Sequence, residues 1–501
     1  MKYSYIVYPF IFLLYAFVGY NTIGFDDEFF NISVVESLSF KQMIDFIQSS
    51  DTHPPISYIF NKIIFILFND WKIVRLITSL LFSACICYAI HVTNKRNGIK
   101  YSILIFFLLG LQPAMLMWGT SLRWYSIFVG ILLLVSFPPK GKHNGIYWTQ
   151  FIIGSLLLLY TGYIAMLIIP GLAWIYYKEM DGSEKRKLIS LSLSFLVIFI
   201  LFLPQFQIFK TFHFRTGNTQ FYSFFSNLQG VFISQFSNQG LFPLTFFAIF
   251  SAIGFLILLG VELQNLLKNK LNENALPYVS SIILIVSAGL AGRFRSLVVA
   301  QPFQAIWIIE LAKNNGTKLV KIALSMIIIS NIAGLINVTM HRETTKNNWN
   351  TPMREILSIV KKENIQGKTV IYCHDPILSY QLEKLGYPVV GPYYINKKKY
   401  SLSSAAIAIV IKTNQGVIPY EKYHAMMIET TALGFKEKKI IQLGEDNHFE
   451  MKRKIDPTFP KFAAELIVYK DVTNISKSST WEWSSGIYSR IRTFSKIQYR
   501  K

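Results

Sequence analysis

The chain has 501 residues, 52% of them hydrophobic, with 41 Phe, three Cys and a formal net charge of +22. This balance excludes a soluble globular protein and a disulfide-framed secreted domain, and it describes an integral membrane protein whose charge sits outside its apolar segments. Nucleic acid is not required as a partner, because basic loops that orient membrane helices, and a basic surface beside anionic head groups, account for the excess.

The first apolar run, 5–23, is long enough to cross a bilayer, and no small-residue cleavage site follows it, so it is expected to remain as an anchor. Directly after it comes "FDDEFF", in which Asp26, Asp27 and Glu28 stand between Phe25 and Phe29. Carboxylates grouped at a membrane boundary repel one another and lose hydration, which raises their proton affinity toward what a general base needs. A solvated loop that keeps the helix end in water would carry acidic residues as well. Three in a row between aromatic neighbours give the two readings equal weight.

The next segment holds Asp51 and then His53, Pro54 and Pro55. Paired prolines fix the backbone direction and start the following helix. His53 can there orient a carboxylate or touch a phosphate, or simply make a structural hydrogen bond. The run that follows, "PPISYIFNKIIFILFND", is short for a span and is interrupted by Asn61 and Lys62. If it crossed, the loop "NKRNGIK" and every later basic loop would lie opposite the amino terminus, against the positive-inside bias. If it does not cross, Lys95 and Arg96, Lys140 and Lys142, Lys185 to Lys187, Lys268 and Lys270, and Lys313 and Lys318 all become cytoplasmic. The segment is therefore expected to lie against the outer face or dip into it.

Further apolar runs at 73–92, 101–118, 124–138, 146–161, 163–177, 188–204, 241–261, 277–292, 297–312 and 319–338 bring the expected spans to about eleven. The same parity gathers several features on the outer side: the loop 24–71, the turn with Arg123, the loop 205–240 and the turn with Arg293 and Arg295. Arginine's fork of donors suits phosphate oxygens, although a single arginine at a helix end also serves as an anchor among head groups. Trp124 and Tyr125, next to Arg123, fit an interfacial aromatic belt. His213 and Arg215, in "FKTFHFRTGNTQFYSFF", belong to an aromatic-rich loop that could cover a site, stack on sugar rings or rest on the bilayer.

From about residue 341 the composition turns polar, which divides the chain into a membrane domain, 1–340, and an outer domain, 341–501. Strand-like runs "KTVIYCHD", "SAAIAIVIK" and "AELIVYK" alternate with helical ones such as "MREILSIVKKE" and "LSYQLEKLG", the pattern of a small α/β domain. The final "IYSRIRTFSKIQYR" reads equally as an amphipathic surface helix or a frayed basic tail.

Cys85 and Cys87 fall within an apolar run and Cys373 stands alone, so no cysteine metal site is expected. There is no phosphate-cradling glycine loop and no HExxH pair, which disfavours a nucleotide-fuelled machine. An enzyme on the outer face then needs a donor that is already activated and already in the membrane. A sugar on a polyprenyl phosphate meets both conditions.

The residues also resemble a known group. An Asp-Glu pair after the first helix, the "HPP" helix start, an arginine with a nearby tyrosine at a later outer helix end, and "GRFRSLVVAQPF" are similar to motifs of the GT-C superfamily of membrane glycosyltransferases. Within it the chain looks like the bacterial branch related to protein O-mannosyltransferases and lipid A aminoarabinose transferases. The motif matches fall in the first 125 residues and near 293–302.

The resemblance implies a polytopic α-helical membrane protein with an extracytoplasmic α/β domain in a bacterial inner membrane, amino terminus cytoplasmic. It implies an inverting transfer in which Asp27 is the base, with Asp26 leaving the register open by one and Glu28 helping to hold the base. Arg123, Arg293 and Arg295, with Tyr125, would meet the donor phosphate, while His53, Asp51 and Tyr58 would position the reacting groups. His213 and Arg215 would belong to an acceptor loop. No obligatory cofactor or metal is expected; the partners are a lipid-linked sugar donor and a glycan, lipid A or protein acceptor. Serotype-modifying O-antigen glucosyltransferases are similar in size, helix number and outer tail, which makes glucose on O-antigen the first specific expectation. A flippase for lipid-linked sugars is the alternative of another class; it would show charges in mid-helix or paired broken helices. A polymerase or ligase of lipid-linked glycans would carry its large outer loop in mid-chain.

Overall fold

The computed structural model describes residues 4–22, 26–50, 53–139, 141, 144–215, 245–268, 278–280, 282–284 and 298–340, and five strands beyond them. In chain order the helices are α1 (Ser4–Asn21), α2 (Asp26–Ser37), α3 (Phe40–Ser50), α4 (Ile56–Phe68), α5 (Trp71–Asn97), α6 (Ile99–Ile105) and α7 (Pro113–Gly119). They continue as α8 (Trp124–Ser136), α9 (Asn144–Leu159), α10 (Ala165–Glu179), α11 (Glu184–Arg215), α12 (Thr245–Leu267), α13 (Gln301–Asn314) and α14 (Lys318–Met340). Two compact units result, Met1–Thr22 with Ile47–Thr345, and Ile23–Phe46 with Lys346–Lys501.

The first unit is helical and built around α5, which packs against α1, α6 and α8. Its boundaries follow the sequence. Asp70 caps the start by accepting from Lys72 N at 2.7 Å, Lys95 and Arg96 occupy the last turn, and Gly98 with φ +85° ends it. The buried Arg75 donates to Thr22 O, fastening α5 to the end of α1. Elsewhere in the unit, α12 lies along α14, and Gly254 makes this possible: a Cβ there would sit 2.7 Å from Ala323 O.

Among the described residues, four continuous helices are long and apolar enough to cross a membrane: Trp71–Asn97, Glu184–Gln205, Ile249–Leu267 and Lys318–Ile336. They make the protein an integral membrane protein. The run 101–118, expected as one span, is bent by 58° between two apolar helices, the geometry of a broken span or a re-entrant loop. A π-helical turn, Phe106–Gly110, precedes the bend. Asn331 Nδ2 donates to Phe107 O at 3.0 Å, and the Gln112 side chain caps α7 by accepting from Met115 N at 2.9 Å, with Pro113 at its first position. The other expected crossings are shorter apolar helices, such as Trp124–Ser136 and Asn144–Leu159, or lie partly outside the described residues.

One further local reading changes. The helix expected to end at residue 204 runs through Pro204 to Arg215, so His213 and Arg215 occupy its last turn and not a free loop. Proline is tolerated inside a membrane helix because neighbouring groups satisfy the carbonyl it leaves without a donor. The rest of that expected loop, 216–240, lies outside the described residues.

The helix α4 has only 13 residues, which at 1.5 Å each is about 20 Å, too short for a hydrocarbon core. It buries Ser57, Tyr58, Asn61 and Lys62 and exposes Ile63, Ile66, Leu67 and Phe68. A helix in water does the reverse. The inversion suits a helix with protein on its polar side and lipid on its apolar side, and it agrees with a segment that does not cross.

In the second unit, Ser39 and Gln42 form a reciprocal capping box at the start of α3, with Ser39 N donating to Gln42 Oε1 at 3.0 Å and Gln42 N to Ser39 Oγ at 3.3 Å. The strands β1 (Thr369–Cys373), β2 (Val389–Val390), β3 (Ile407–Thr413), β4 (Lys436–Leu443) and β5 (Ala464–Lys470) form one sheet in the order β2-β1-β3-β5-β4. The pairs β1–β2 and β1–β3 are parallel, with Ile371 opposite Ile409, and β3–β5 and β4–β5 are antiparallel, with Val410 opposite Ile467. The helices expected between these strands, and the basic carboxyl-terminal stretch, lie outside the described residues.

Candidate functional site

Arg123 begins the site. The turn Thr120–Leu122 connects α7 to α8, and Arg123 is the residue before the first turn of α8, extended at φ −93° and ψ 168°. Its side chain is buried, 7% exposed, at the end of a helix where backbone N–H groups lack intrahelical partners. A guanidinium at the positive pole of a helix is an arrangement that an anion relieves. Ser126 Oγ donates to Ser121 O at 2.8 Å and lies 3.0 Å from Arg123 O, which fixes the turn.

His53 comes to this point from 70 residues earlier in the chain. Arg123 Nη2 and His53 Nε2 are 3.4 Å apart. Because the guanidinium can only donate, Nε2 is the acceptor in this contact and the imidazole proton is assigned to Nδ1. His53 thereby holds one edge of the cation.

The elements around the pair are tied by backbone and amide contacts. Ile56 N donates to Tyr160 O at 3.2 Å, which fixes the start of α4 on the turn after α9. Asn61 Nδ2 donates to Leu122 O at 2.8 Å, which fixes α4 on the residue before Arg123. Tyr163 Oη, 3.4 Å from Gln205 Oε1, adds α11. Lys62, buried on the same face of α4 as Tyr58 and Asn61, brings a second cation into this part of the unit.

Aromatic rings enclose the Arg123 end. Trp124 lies 4.2 Å from Tyr125 and 5.3 Å from Phe128 by ring centroids, Trp118 lies 5.0 Å from Tyr125, and His53 lies 6.4 Å from Trp124. Gly162 is needed for this packing, since a Cβ there would sit 2.9 Å from the Trp124 ring. The buried Trp124 Nε1 and Asn61 Oδ1 have no hydrogen-bond partner among the described residues. A donor on α8 and an acceptor on α4 thus stay open, on the helices that follow Arg123 and carry Lys62. Chemically, the cluster can bind a phosphate-sized anion in a setting from which aromatic groups exclude water.

Of the residues singled out in the sequence, His53, Arg123, Tyr58 and Tyr125 fall in one unit, and the structure brings His53 and Arg123 into contact. Tyr58 is buried in α4 and Tyr125 is buried in the first turn of α8. Asp26 and Asp27 occupy the first turn of α2; Glu28, also in α2, is fully buried. The side chains of Asp26, Asp27, His213 and Arg215 lie outside the description, as do Asp51, Arg293 and Arg295 altogether. Among the described residues, no group of three His, Cys, Asp or Glu side chains could hold a metal ion.

Sequence reasoning missed Lys62, Asn61 and Trp118. The signal for the first two was present: both share a helical face with Tyr58 in an otherwise apolar segment, where a polar stripe marks the protein-facing side.

Comparison with known proteins gives a limited match. No family model and no curated protein sequence matches the chain. Among solved structures it is similar to ArnT from Cupriavidus metallidurans bound to undecaprenyl phosphate, with 11% identity and a TM-score of 0.49 over 95% of this chain and 99% of that one. The apo state of the same protein gives 12% identity and a TM-score of 0.47 over 92% and 97%. At that level of similarity the chemistry has to rest on the residues of this chain.

Proposed function

We propose that this protein is an inverting membrane glycosyltransferase that moves a sugar from a polyprenyl-phosphate donor to an acceptor on the extracytoplasmic side. The observation that carries the reading is the buried Arg123, held by His53 at the positive pole of α8 under an aromatic enclosure. A lipid-linked phosphate is a leaving group of the right charge and comes from the membrane itself. Arg123 and Lys62, joined by Arg293 and Arg295, would offset the charge that grows on the phosphate as the anomeric bond breaks. Asp27 would take the proton from the acceptor hydroxyl as its oxygen attacks the anomeric carbon. The mechanism as drawn uses no metal and no cofactor. Its setting would be a bacterial inner membrane, with the carboxyl-terminal domain outside the cytoplasm.

Glucose is the first sugar and lipopolysaccharide O-antigen the first acceptor to try; aminoarabinose or another sugar on lipid A or protein comes second. In membranes supplied with polyprenyl-phosphate glucose and acceptor glycan, Asp27→Asn is expected to lower transfer about 10³-fold, and Asp26→Asn far less. The reverse order would shift the base by one residue, and full activity in both variants would remove the base from this acidic run. Movement of the lipid-linked sugar across sealed vesicles, with no new glycosidic bond, would make the protein a flippase instead.

A further inference from the structure

A second polar cavity lies at the other end of α8, about 20 Å from Arg123 by the length of that helix. It has a volume of about 240 Å³, and the last turns of α5, α8, α10 and α13 meet around it. Its charged lining alternates in sign: Arg96, Lys178 and Lys313 against Glu179 and Glu310. Arg96 pairs with Glu179 at 2.7 Å, and Lys313 with Glu310 at 2.5 Å. All four side chains are 17–25% exposed, so these pairs are partly wet and open at little cost. Two buried groups in the wall, Arg96 Nε and Ser136 Oγ, have no hydrogen-bond partner among the described residues. Buried donors of this kind normally have acceptors.

The electrostatics select the ligand class. Helix carboxyl ends and two glutamates work against a plain anion, and three cations work against a plain cation. A small zwitterion satisfies both sets. The cavity is below the range of drug-sized pockets, and it sits at the end of the unit that carries Lys95, Arg96, Lys178 and Lys313, where lipid head groups lie if the basic ends face the cytoplasm. We propose that it is a head-group site for a phospholipid bearing a phosphodiester and a primary ammonium, that is, phosphatidylethanolamine. The phosphodiester accepts from Arg96 Nε and Ser136 Oγ, and the ammonium donates to Glu310.

The test uses the full chain in nanodiscs of equal parts phosphatidylethanolamine, phosphatidylglycerol and phosphatidylcholine, with retained lipid counted by native mass spectrometry. Phosphatidylethanolamine is expected to be enriched about tenfold over phosphatidylcholine, whose quaternary ammonium cannot donate. Glu310→Gln, which keeps the shape of the wall, removes that preference, and Ser136→Leu, which fills the cavity, removes retention. Equal retention of the three lipids, a preference for phosphatidylglycerol, or unchanged selectivity in both variants would overturn the proposal. Displacement by soluble phosphoethanolamine as readily as by the lipid would overturn the lipid assignment in favour of a soluble zwitterion. None of these readouts depends on sugar transfer, so the site stands or falls separately from the glycosyltransferase reading.

Discussion

The two ends of α8 handle charge in opposite ways. At Ser136 the surrounding cations sit where helix carboxyl ends are negative, and two of them are paired with glutamates. At Arg123 a buried cation sits at the positive end, held by an imidazole and enclosed by aromatic rings. The first arrangement lowers the energy of the protein by itself. The second sets a guanidinium against the field of the helix, an arrangement that an approaching anion favours. Charge placed against the local field is therefore the better guide to function, and a count of basic residues would not have told the two ends apart.

The largest effect that could break this contrast is expected at Arg123. Replacing it with Ala should cut transfer about 10³-fold by removing the main stabiliser of the leaving phosphate, while thermal unfolding moves little or upward. A large fall in melting temperature with modest loss of rate would make Arg123 structural, like the pairs at the opposite end. Lys62→Met comes next. It keeps the stem and removes the charge, and should weaken use of the lipid-linked donor about 30-fold, on the scale of one charge-assisted contact; steady-state kinetics in the donor checks it. Gly162→Ala is smaller in rate but informative in kind. Its methyl must displace the Trp124 ring, at a cost of about 1–3 kcal/mol, so melting temperature and activity should fall together, whereas Arg123→Ala separates them.

Much of the membrane fold was legible because hydropathy over a span is additive and local. The expectation that α4 does not cross came from charge parity and from its short, interrupted apolar run, and its 13-residue length and inverted polarity are consistent with it. The strands β1, β3 and β5 were legible from runs such as "TVIYC" and "AELIVYK", but β4, "KEKKIIQL", reads as a solvated segment until β5 is paired with it. The break before α7 was not legible, since the π-helical turn is held by Asn331, 224 residues away. In the site, His53 and Arg123 each stood out, yet nothing local announces that they meet. Lys62 was passed over because it was weighed as a defect in a span and not as a group on a helix face.

The inverted face of α4 has a mechanical consequence. Its outward side chains Ile63, Ile66, Leu67 and Phe68 are exposed and, if α4 lies on the bilayer surface, would ride in acyl chains, while Asn61, on the other side, grips the carbonyl of the residue before Arg123. In that setting bilayer thickness would act on the guanidinium as a lever acts on its load. Transfer rates measured in short-chain and long-chain lipids of one head group should differ, and Asn61→Ala, which cuts the linkage, should flatten that difference.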